Sequence, residues 1–372
     1  MRKNVQSIQF LRFVAAALVV VYHLTIGFER YYPGSISSEF AYWSGLGVSG
    51  IHIFFVISGF VMVYTSFPAP DCTFLPSKFF IRRFIRIFPI YWIYAVVYLA
   101  FHNSFEAGYS LSFDQIVRAF LLLPVDSANI IGPGWTLSFE LYFYLCFGIA
   151  MTLGLHRGLW LLTLCFLSLA AMRYPIMMYA DRTFLDFMTN SLIVEFLFGA
   201  WVAYFIVLGI RFDTRMANAM LAAGVAAFFV GGAVGYTRLP SVAMWGIPSA
   251  LVVAGFVYRE RNGQLFGLVR RWSWLGDSSY SLYLLHVLLI DMTLMLAAHL
   301  YPNMRSVFTL VAVFLAILAF CIVVAVAAYA FVEHRLIVFL QTLAKNRIPR
   351  LMGVNSAVTD TVLRKQNRGL IE

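Results

Sequence analysis

The sequence predicts an all-α polytopic membrane protein with about ten transmembrane helices. Two properties of the 372-residue chain lead to this prediction. Its composition is 62% hydrophobic and only 12% charged, with a mean hydropathy of +0.82, which is far more apolar than a soluble domain. Its apolar residues also form runs of about 17–25, the length at which a helix crosses a bilayer. A soluble globular fold is therefore excluded.

The predicted spans follow one another along almost the whole chain. We place them at residues 8–27, 46–66, 84–101, 135–153, 158–173, 188–208, 217–235, 240–258, 277–299 and 306–332. The only long connection is 102–134, whose amphipathic stretch FDQIVRAFLLL is expected either on the membrane interface or inside the protein. Residues 1–336 are predicted to form one transmembrane domain, and residues 337–372 a basic cytoplasmic tail.

The distribution of Lys and Arg predicts the orientation of these spans. Roughly 20 of the 27 basic residues fall in loops on the N-terminal side, and the positive-inside rule then places both termini in the cytoplasm. The net charge of +10 is thus explained by topology, and no nucleic-acid partner is expected. The chain is therefore expected to pass many times through the membrane lipids.

Two ionisable residues in the first span are the strongest functional candidates. Arg12 and His23 are eleven residues apart, so helical periodicity places them on one face, about 16 Å apart along the axis. A charged side chain at the bilayer centre costs about 2.5–3.5 kcal/mol, and such residues usually serve a function. Two structural alternatives stay open. Arg12 can snorkel to the cytoplasm, and His23 can be an interfacial hydrogen-bonding group.

Three ionisable side chains are expected at one depth near the outer surface, counted by helical rise: His23, His52 and Glu140. An imidazole beside a carboxylate provides a base and the acid that orients it, as needed to remove a proton from a hydroxyl nucleophile. We therefore expect His23 and Glu140 to meet. His52 and His286, the latter predicted near mid-membrane, are equally open to roles as interhelical hydrogen-bonding groups.

Basic residues dominate the opposite layer. Arg83 and Arg86, in FIRRFIRIFPIYW, are expected with Arg12 near the inner surface. Guanidinium groups suit phosphate recognition, although arginines at an inner boundary are also what the topology requires. Glu333 is expected to pair with a nearby base such as Arg335. The two layers together suggest a phosphate-bearing donor that enters from the cytoplasm and an acceptor hydroxyl nearer the outer face.

At these residues the chain resembles the membrane-bound acyltransferase 3 family, in particular its exopolysaccharide O-acetyltransferase branch. The matching stretches are QFLRFVAAALVVVYH, GVSGIHIFFVISGFVM, RRFIRIFP, GPGWTLSFELYFYL, SYSLYLLH and YAFVEHRL. They occur in family order over about residues 6–336. The resemblance implies an enzyme of ten spans that takes an acyl group, usually acetyl, from acyl-coenzyme A. It places the group on a carbohydrate hydroxyl at or beyond the outer face, and the expected location is the inner (cytoplasmic) membrane of a bacterium.

The resemblance also implies roles for individual residues. The catalytic positions are His23, Glu140 and Arg12, with His23 as general base or transient acyl carrier and Glu140 as its orienting or charge-balancing partner. The donor-binding positions are Arg83 and Arg86. The supporting positions are Trp135, Ser138, His52 and His286.

Three positions depart from the family pattern. Relatives usually carry Asp where this chain has His52, many have a second Glu at the position of Leu141, and the terminal motif often has Pro where Leu336 stands. A carboxylate at position 52 is therefore missing, and any role assigned to it is in doubt. The central Arg12–His23 pair is unaffected.

The expected function is transfer of an acyl group, most simply acetyl, to a hydroxyl of an envelope or secreted polysaccharide or of its lipid-linked precursor. Acyl-CoA is expected as the donor substrate, with no permanently bound cofactor and no metal, since the histidines lack metal-ligand spacing. A carbohydrate or lipid-linked glycan and the polysaccharide biosynthesis machinery are the expected partners. Two other classes fit the same residues, a proton-coupled transporter or flippase of glycan intermediates and a non-catalytic subunit of an export assembly.

Overall fold

The computed structural model describes residues 5–105, 109–124, 130–179, 183–235, 240–304 and 306–351. In this part of the chain the structure is helical and contains no strand. The α-helices are α1 (Gln6–Tyr31), α2 (Ser38–Ser44), α3 (Ser49–Ser66), α4 (Pro76–Phe105), α5 (Phe113–Phe120), α6 (Trp135–Ala150), α7 (Leu155–Tyr179), α8 (Thr183–Met188), α9 (Leu192–Val207), α10 (Thr214–Val234), α11 (Ile247–Arg261), α12 (Gly267–Trp272), α13 (Ser279–Leu300), α14 (Val307–Ala328) and α15 (His334–Leu351).

Ten helical segments of the described chain are long and apolar enough to cross a membrane, which confirms the predicted polytopic fold. Several are longer than predicted. The third is Pro76–Phe105 rather than 84–101, and the last is Val307–Lys345 rather than 306–332. The reason is that backbone hydrogen bonds continue a helix past the last apolar residue, so hydropathy alone ends it too early. Residues 337–351 of the predicted tail continue this last helix, and residues 352–372 lie outside the described part.

The densest packing joins α3 to α9. A β-carbon at Gly59 would lie 1.8 Å from the carbonyl oxygen of Phe196, and one at Gly199 would lie 1.7 Å from that of Val56. Only glycine lets two helix backbones approach so closely. The first helix, α1, packs against α3 on one side and α13 on the other, so it lies in the centre of the bundle.

The segment 109–124 packs against α4 at one end and is exposed over most of its length. Helix α5 begins with a capping box made by Ser112 and Gln115. At its other end, the Tyr91 hydroxyl donates to the Ala119 carbonyl oxygen at 2.8 Å, and the Trp92 indole donates to that of Phe120 at 2.9 Å. Both donors come from the middle of α4. Ala119 is buried by this contact, whereas Phe113, Val117 and Leu121 are exposed, so α5 lies on the outside of the bundle with its last turn packed against α4.

Helix α6 also begins inside the protein. The 3-10 turn that precedes it, Gly132–Gly134, contains the buried residues Pro133 and Gly134. The hydroxyl of Tyr283, on α13, lies 2.8 Å from the Thr136 hydroxyl and 3.3 Å from the Pro133 carbonyl oxygen. Tyr283 is near the middle of the span Gly267–Leu300, so the polar side chains of α6 lie deeper in the bundle than a count from a surface start predicts.

Candidate active site

His23 lies against His286, at the contact between α1 and α13. Nε2 of His286 is 3.2 Å from Nδ1 of His23, and the two rings meet edge to face with centroids 4.9 Å apart. His286 is fully buried, and the Tyr22 ring covers another edge of His23 at 5.3 Å. The sequence placed these two histidines at different depths, but the structure places them side by side.

The hydrogen bonds of the pair fix which ring nitrogen carries the proton in the neutral state. Nδ1 of His286 faces the Leu282 carbonyl oxygen at 3.2 Å. A carbonyl only accepts, so this nitrogen donates and Nε2 of His286 is left as an acceptor. Nδ1 of His23 then carries the proton, which it shares with His286 and with the Val19 carbonyl oxygen at 2.9 Å. The lone pair of His23 Nε2 remains available for a substrate proton.

Glu140 does not contact His23, and the expected pairing of these two residues is wrong. Its carboxylate accepts hydrogen bonds from Ser58, at 3.1 Å, and from Tyr144. It lies within electrostatic reach of Arg12 and Arg83 instead. The physical reason is the buried start of α6, which moves Glu140 away from the outer layer in which it was counted.

Three arginines gather near the end of the bundle at which α1 begins. Arg83 lies between two rings, 5.6 Å from the centroids of Phe79 and Tyr144, and its Nη2 donates to Thr65 at 3.4 Å. Its Nε is buried and makes no hydrogen bond to any described residue. Arg12 and Arg86 are close enough to interact electrostatically. We call Arg12, Arg83 and Arg86 the arginine centre.

Carboxylates surround the arginine centre without touching it. Glu140, Glu333 and Asp277 all interact electrostatically with Arg12. Among the described residues, however, no carboxylate lies within 4.0 Å of any guanidinium of the centre. Three cations that are not neutralised by direct ion pairs form a site suited to an anion.

Glu333 has a different partner from the one expected. It is buried in the π-helical turn Tyr329–Glu333 and accepts a hydrogen bond from Ser281 at 2.6 Å, while Tyr94 contacts the same serine. Arg335 is exposed and lies over the Phe331 ring at 5.7 Å. Two residues apart on a helix point to nearly opposite sides, so the expected Glu333–Arg335 pair was geometrically unfavourable.

His52 belongs to a separate buried pair. Its Nδ1 lies 2.8 Å from both carboxylate oxygens of Glu195, and its ring stacks on Trp245 with centroids 5.7 Å apart. This pair bridges α3 and α9. A carboxylate thus lies beside position 52 but comes from the neighbouring helix, and His52 takes part in helix packing rather than in the His23 site.

The two remaining supporting candidates differ in exposure. Trp135 is 38% exposed, with its ring against Phe139, while Ser138 is buried on α6. Neither is hydrogen-bonded to the histidine pair or to the arginine centre in the described structure.

Tyr283 lies between the start of α6 and the histidine pair. Glu140 interacts electrostatically with Tyr283, whose hydroxyl meets Thr136 at 2.8 Å. The Tyr283 ring lies 5.9 Å from that of His286, which contacts His23. Sequence reasoning missed Tyr283, although its position three residues before His286 places it on the same helix face.

Comparisons with protein families and with known proteins each give a match. A family model described as an acyltransferase domain matches residues 5–330. Over 254 residues the chain is 28% identical to the exopolysaccharide production protein ExoZ of Rhizobium meliloti (strain 1021), an alignment that covers 66% of this chain and 77% of that protein. No solved structure gives a significant match.

Proposed function

The chain belongs to the acyltransferase 3 family, and from this membership we propose that it is a membrane O-acyltransferase that modifies an exopolysaccharide or its lipid-linked precursor. The observation that carries the proposal is the position of His23. Its Nδ1 faces His286 and the Val19 carbonyl oxygen, which leaves the Nε2 lone pair for a substrate proton. Arg12, on the same helix, belongs to the arginine centre, which suits an anion. Together they supply the base and the anion site that transfer from a phosphate-bearing donor requires.

The arginine centre is proposed to bind the phosphates of acyl-CoA, most simply acetyl-CoA. Arg83 is held by ring contacts and one weak hydrogen bond, so most of its donor groups remain free for a ligand. Arg12 donates one hydrogen bond, from Nη1 to Oε1 of Gln9 at 3.2 Å. Guanidinium groups offer paired N–H donors that match phosphate oxygens.

The distance between the arginine centre and His23 suits such a donor. Arg12 and His23 are both on α1, and eleven residues of helix correspond to about 16 Å. The long flexible arm of coenzyme A would bridge this distance and bring its thioester to His23. With the termini in the cytoplasm, as the basic loops predict, the donor would enter from the cytoplasm and the acceptor would reach His23 from the opposite side.

The proposed chemical step uses the free nitrogen of His23. Nε2 takes the proton of the acceptor hydroxyl as the hydroxyl oxygen attacks the thioester carbonyl carbon, forming the new C–O bond. The C–S bond then breaks, and the leaving thiolate takes the proton from the His23 imidazolium. His286 accepts the Nδ1–H of His23 throughout and stabilises the imidazolium as it forms.

Glycan analysis of a deletion strain tests this function. An acyltransferase predicts that ester-linked acyl groups on the surface polysaccharide disappear from the NMR spectrum while total polysaccharide is retained. Loss of the polysaccharide itself would instead support a flippase or an export subunit. Incubating the purified protein with radiolabelled acetyl-CoA, without acceptor, tests the role of His23. If an acyl group stays attached to the wild-type protein but not to the His23→Gln variant, His23 acts as an acyl carrier rather than as a general base.

A further inference from the structure

Arg12 is held by an amide, although carboxylates are nearby. Nη1 of Arg12 donates to Oε1 of Gln9 at 3.2 Å, and Nε2 of the same amide donates to Oδ1 of Asp277 at 2.6 Å. Gln9 lies one helical turn before Arg12, and Asp277 comes from the 3-10 segment that leads into α13. The three side chains therefore form a hydrogen-bonded chain from one helix to another.

We propose that Gln9 and Asp277 are positioning residues for Arg12, which hold its guanidinium toward the phosphates of the donor. The proposal rests on the donor-binding role assigned to Arg12 above. Neither residue carries a charge that pairs directly with Arg12, and neither is part of the histidine pair. Their effect on the reaction would pass through Arg12 alone.

The hydrogen bonds that link Asp277, Gln9 and Arg12 allow only one arrangement of donors and acceptors. A carboxylate only accepts hydrogen bonds and a guanidinium only donates them. The amide of Gln9 must therefore turn its NH2 group to Asp277 and its oxygen to Arg12. Asp277 thus fixes the orientation of Gln9, and Gln9 fixes one N–H group of Arg12. The other N–H groups of the guanidinium stay available for a ligand, which a direct ion pair with Asp277 would have occupied.

The backbone is built to bring these residues together. A β-carbon at Gly276 would lie 2.0 Å from the Gln9 carbonyl oxygen, so only glycine allows Asp277 to approach α1 this closely. The start of α1 is also anchored by Glu260 of α11, whose carboxylate accepts from the backbone N–H groups of Gln6 and Ser7 at 2.8 Å each. Glu260 thus holds the start of α1 against α11, and Gly276 lets the 3-10 segment approach the same turn.

Kinetics with acetyl-CoA in nanodiscs test the proposal. Gln9→Met keeps the volume of the side chain and removes its hydrogen bonds to Arg12 and Asp277. We expect the donor KM to rise about tenfold, which corresponds to the free energy of one hydrogen bond, and kcat to change little. The matched control is Gln6→Met. Gln6 is exposed one turn earlier on the same helix, and only its backbone takes part in a hydrogen bond, so its donor KM should equal that of the wild type.

A reciprocal exchange separates this role from a purely structural one. Gln9→Glu alone places two carboxylates against each other and should raise the donor KM. Adding Asp277→Asn restores a donor toward position 9, so Q9E/D277N should recover most of the lost affinity. Direct binding of coenzyme A to the same variants provides a second measurement that does not depend on turnover.

The outcomes distinguish the two proposals. A donor KM in Gln9→Met within twofold of the wild type, or a double variant as impaired as Gln9→Glu, would overturn the positioning role while leaving the proposed function intact. A wild-type protein that binds no coenzyme A and transfers no acyl group would overturn the proposed function itself.

Discussion

The histidine pair gives the sharpest quantitative prediction. His286→Leu removes the acceptor that faces Nδ1 of His23 and puts an apolar side chain of similar size in its place. The Val19 carbonyl oxygen, at 2.9 Å, still holds the same proton, so His23 keeps its tautomer and the full penalty of a wrong tautomer does not apply. What is lost is the hydrogen bond that stabilises the imidazolium during proton transfer.

The size of the effect follows from that bond. A hydrogen bond to a charged group contributes about 1.5–3 kcal/mol, which corresponds to a fall in kcat of roughly 10- to 150-fold. The donor KM should be unchanged, because the arginine centre lies about 16 Å away along α1. His286→Gln should retain more activity, since its amide oxygen can accept the Nδ1–H of His23.

The assay is acetyl transfer from radiolabelled acetyl-CoA to the polysaccharide acceptor in nanodiscs, with size-exclusion chromatography to confirm folding. The reasoning would be refuted if folded His286→Leu kept kcat within about twofold of the wild type, well below the value of a charged hydrogen bond. A change confined to the donor KM would refute it equally.

Four further predictions follow from the contacts described above. His23→Ala and His23→Gln should both abolish acyl transfer with normal membrane insertion, because neither side chain takes up a proton; activity in a quantitative glycan assay would contradict this. Arg83→Ala should weaken coenzyme A binding by a few kcal/mol at most, and Arg83→Lys should be partly active, since Lys lacks the bidentate geometry. Equal binding by the wild type and both variants would show that Arg83 serves topology alone. Glu195→Ala should lower stability by about 3–5 kcal/mol by leaving buried His52 unpaired, measured as a fall in the thermal midpoint, and an unchanged midpoint would mean that the pair is not formed. Gly199→Ala places a methyl group against the Val56 carbonyl and should prevent stable folding, whereas Gly209→Ala, in open space but at positive φ, should cost only about 1 kcal/mol.

The fold was predictable from the sequence because hydropathy directly reports which segments cross a membrane. The ten spans are confirmed, and the grouping of Arg12 with Arg83 and Arg86 agrees with their positions near the starts of α1 and α4. Each of these inferences depends on one helix at a time. Helical rise and periodicity are sufficient for them.

The pairings between helices were not predictable in the same way. Depth counting placed Glu140 beside His23 because it assumed that α6 starts at the membrane surface, and the buried turn Gly132–Gly134 breaks that assumption. The contact of His23 with His286 depends on the register of α1 against α13, which no single-helix rule gives. Gln9 was overlooked because it is uncharged and attracts attention only once Asp277 lies beside it.

The glycine contact between α3 and α9 limits how the protein can move. Two backbones in direct contact cannot slide or rotate past each other without overlap of their atoms, and the His52–Glu195 pair ties the same two helices together. Alternating access in transporters uses the rocking of one half of the bundle against the other. In this protein the boundary between two such halves cannot run between α3 and α9. Any larger movement of the molecule therefore carries α3 and α9 together as one unit.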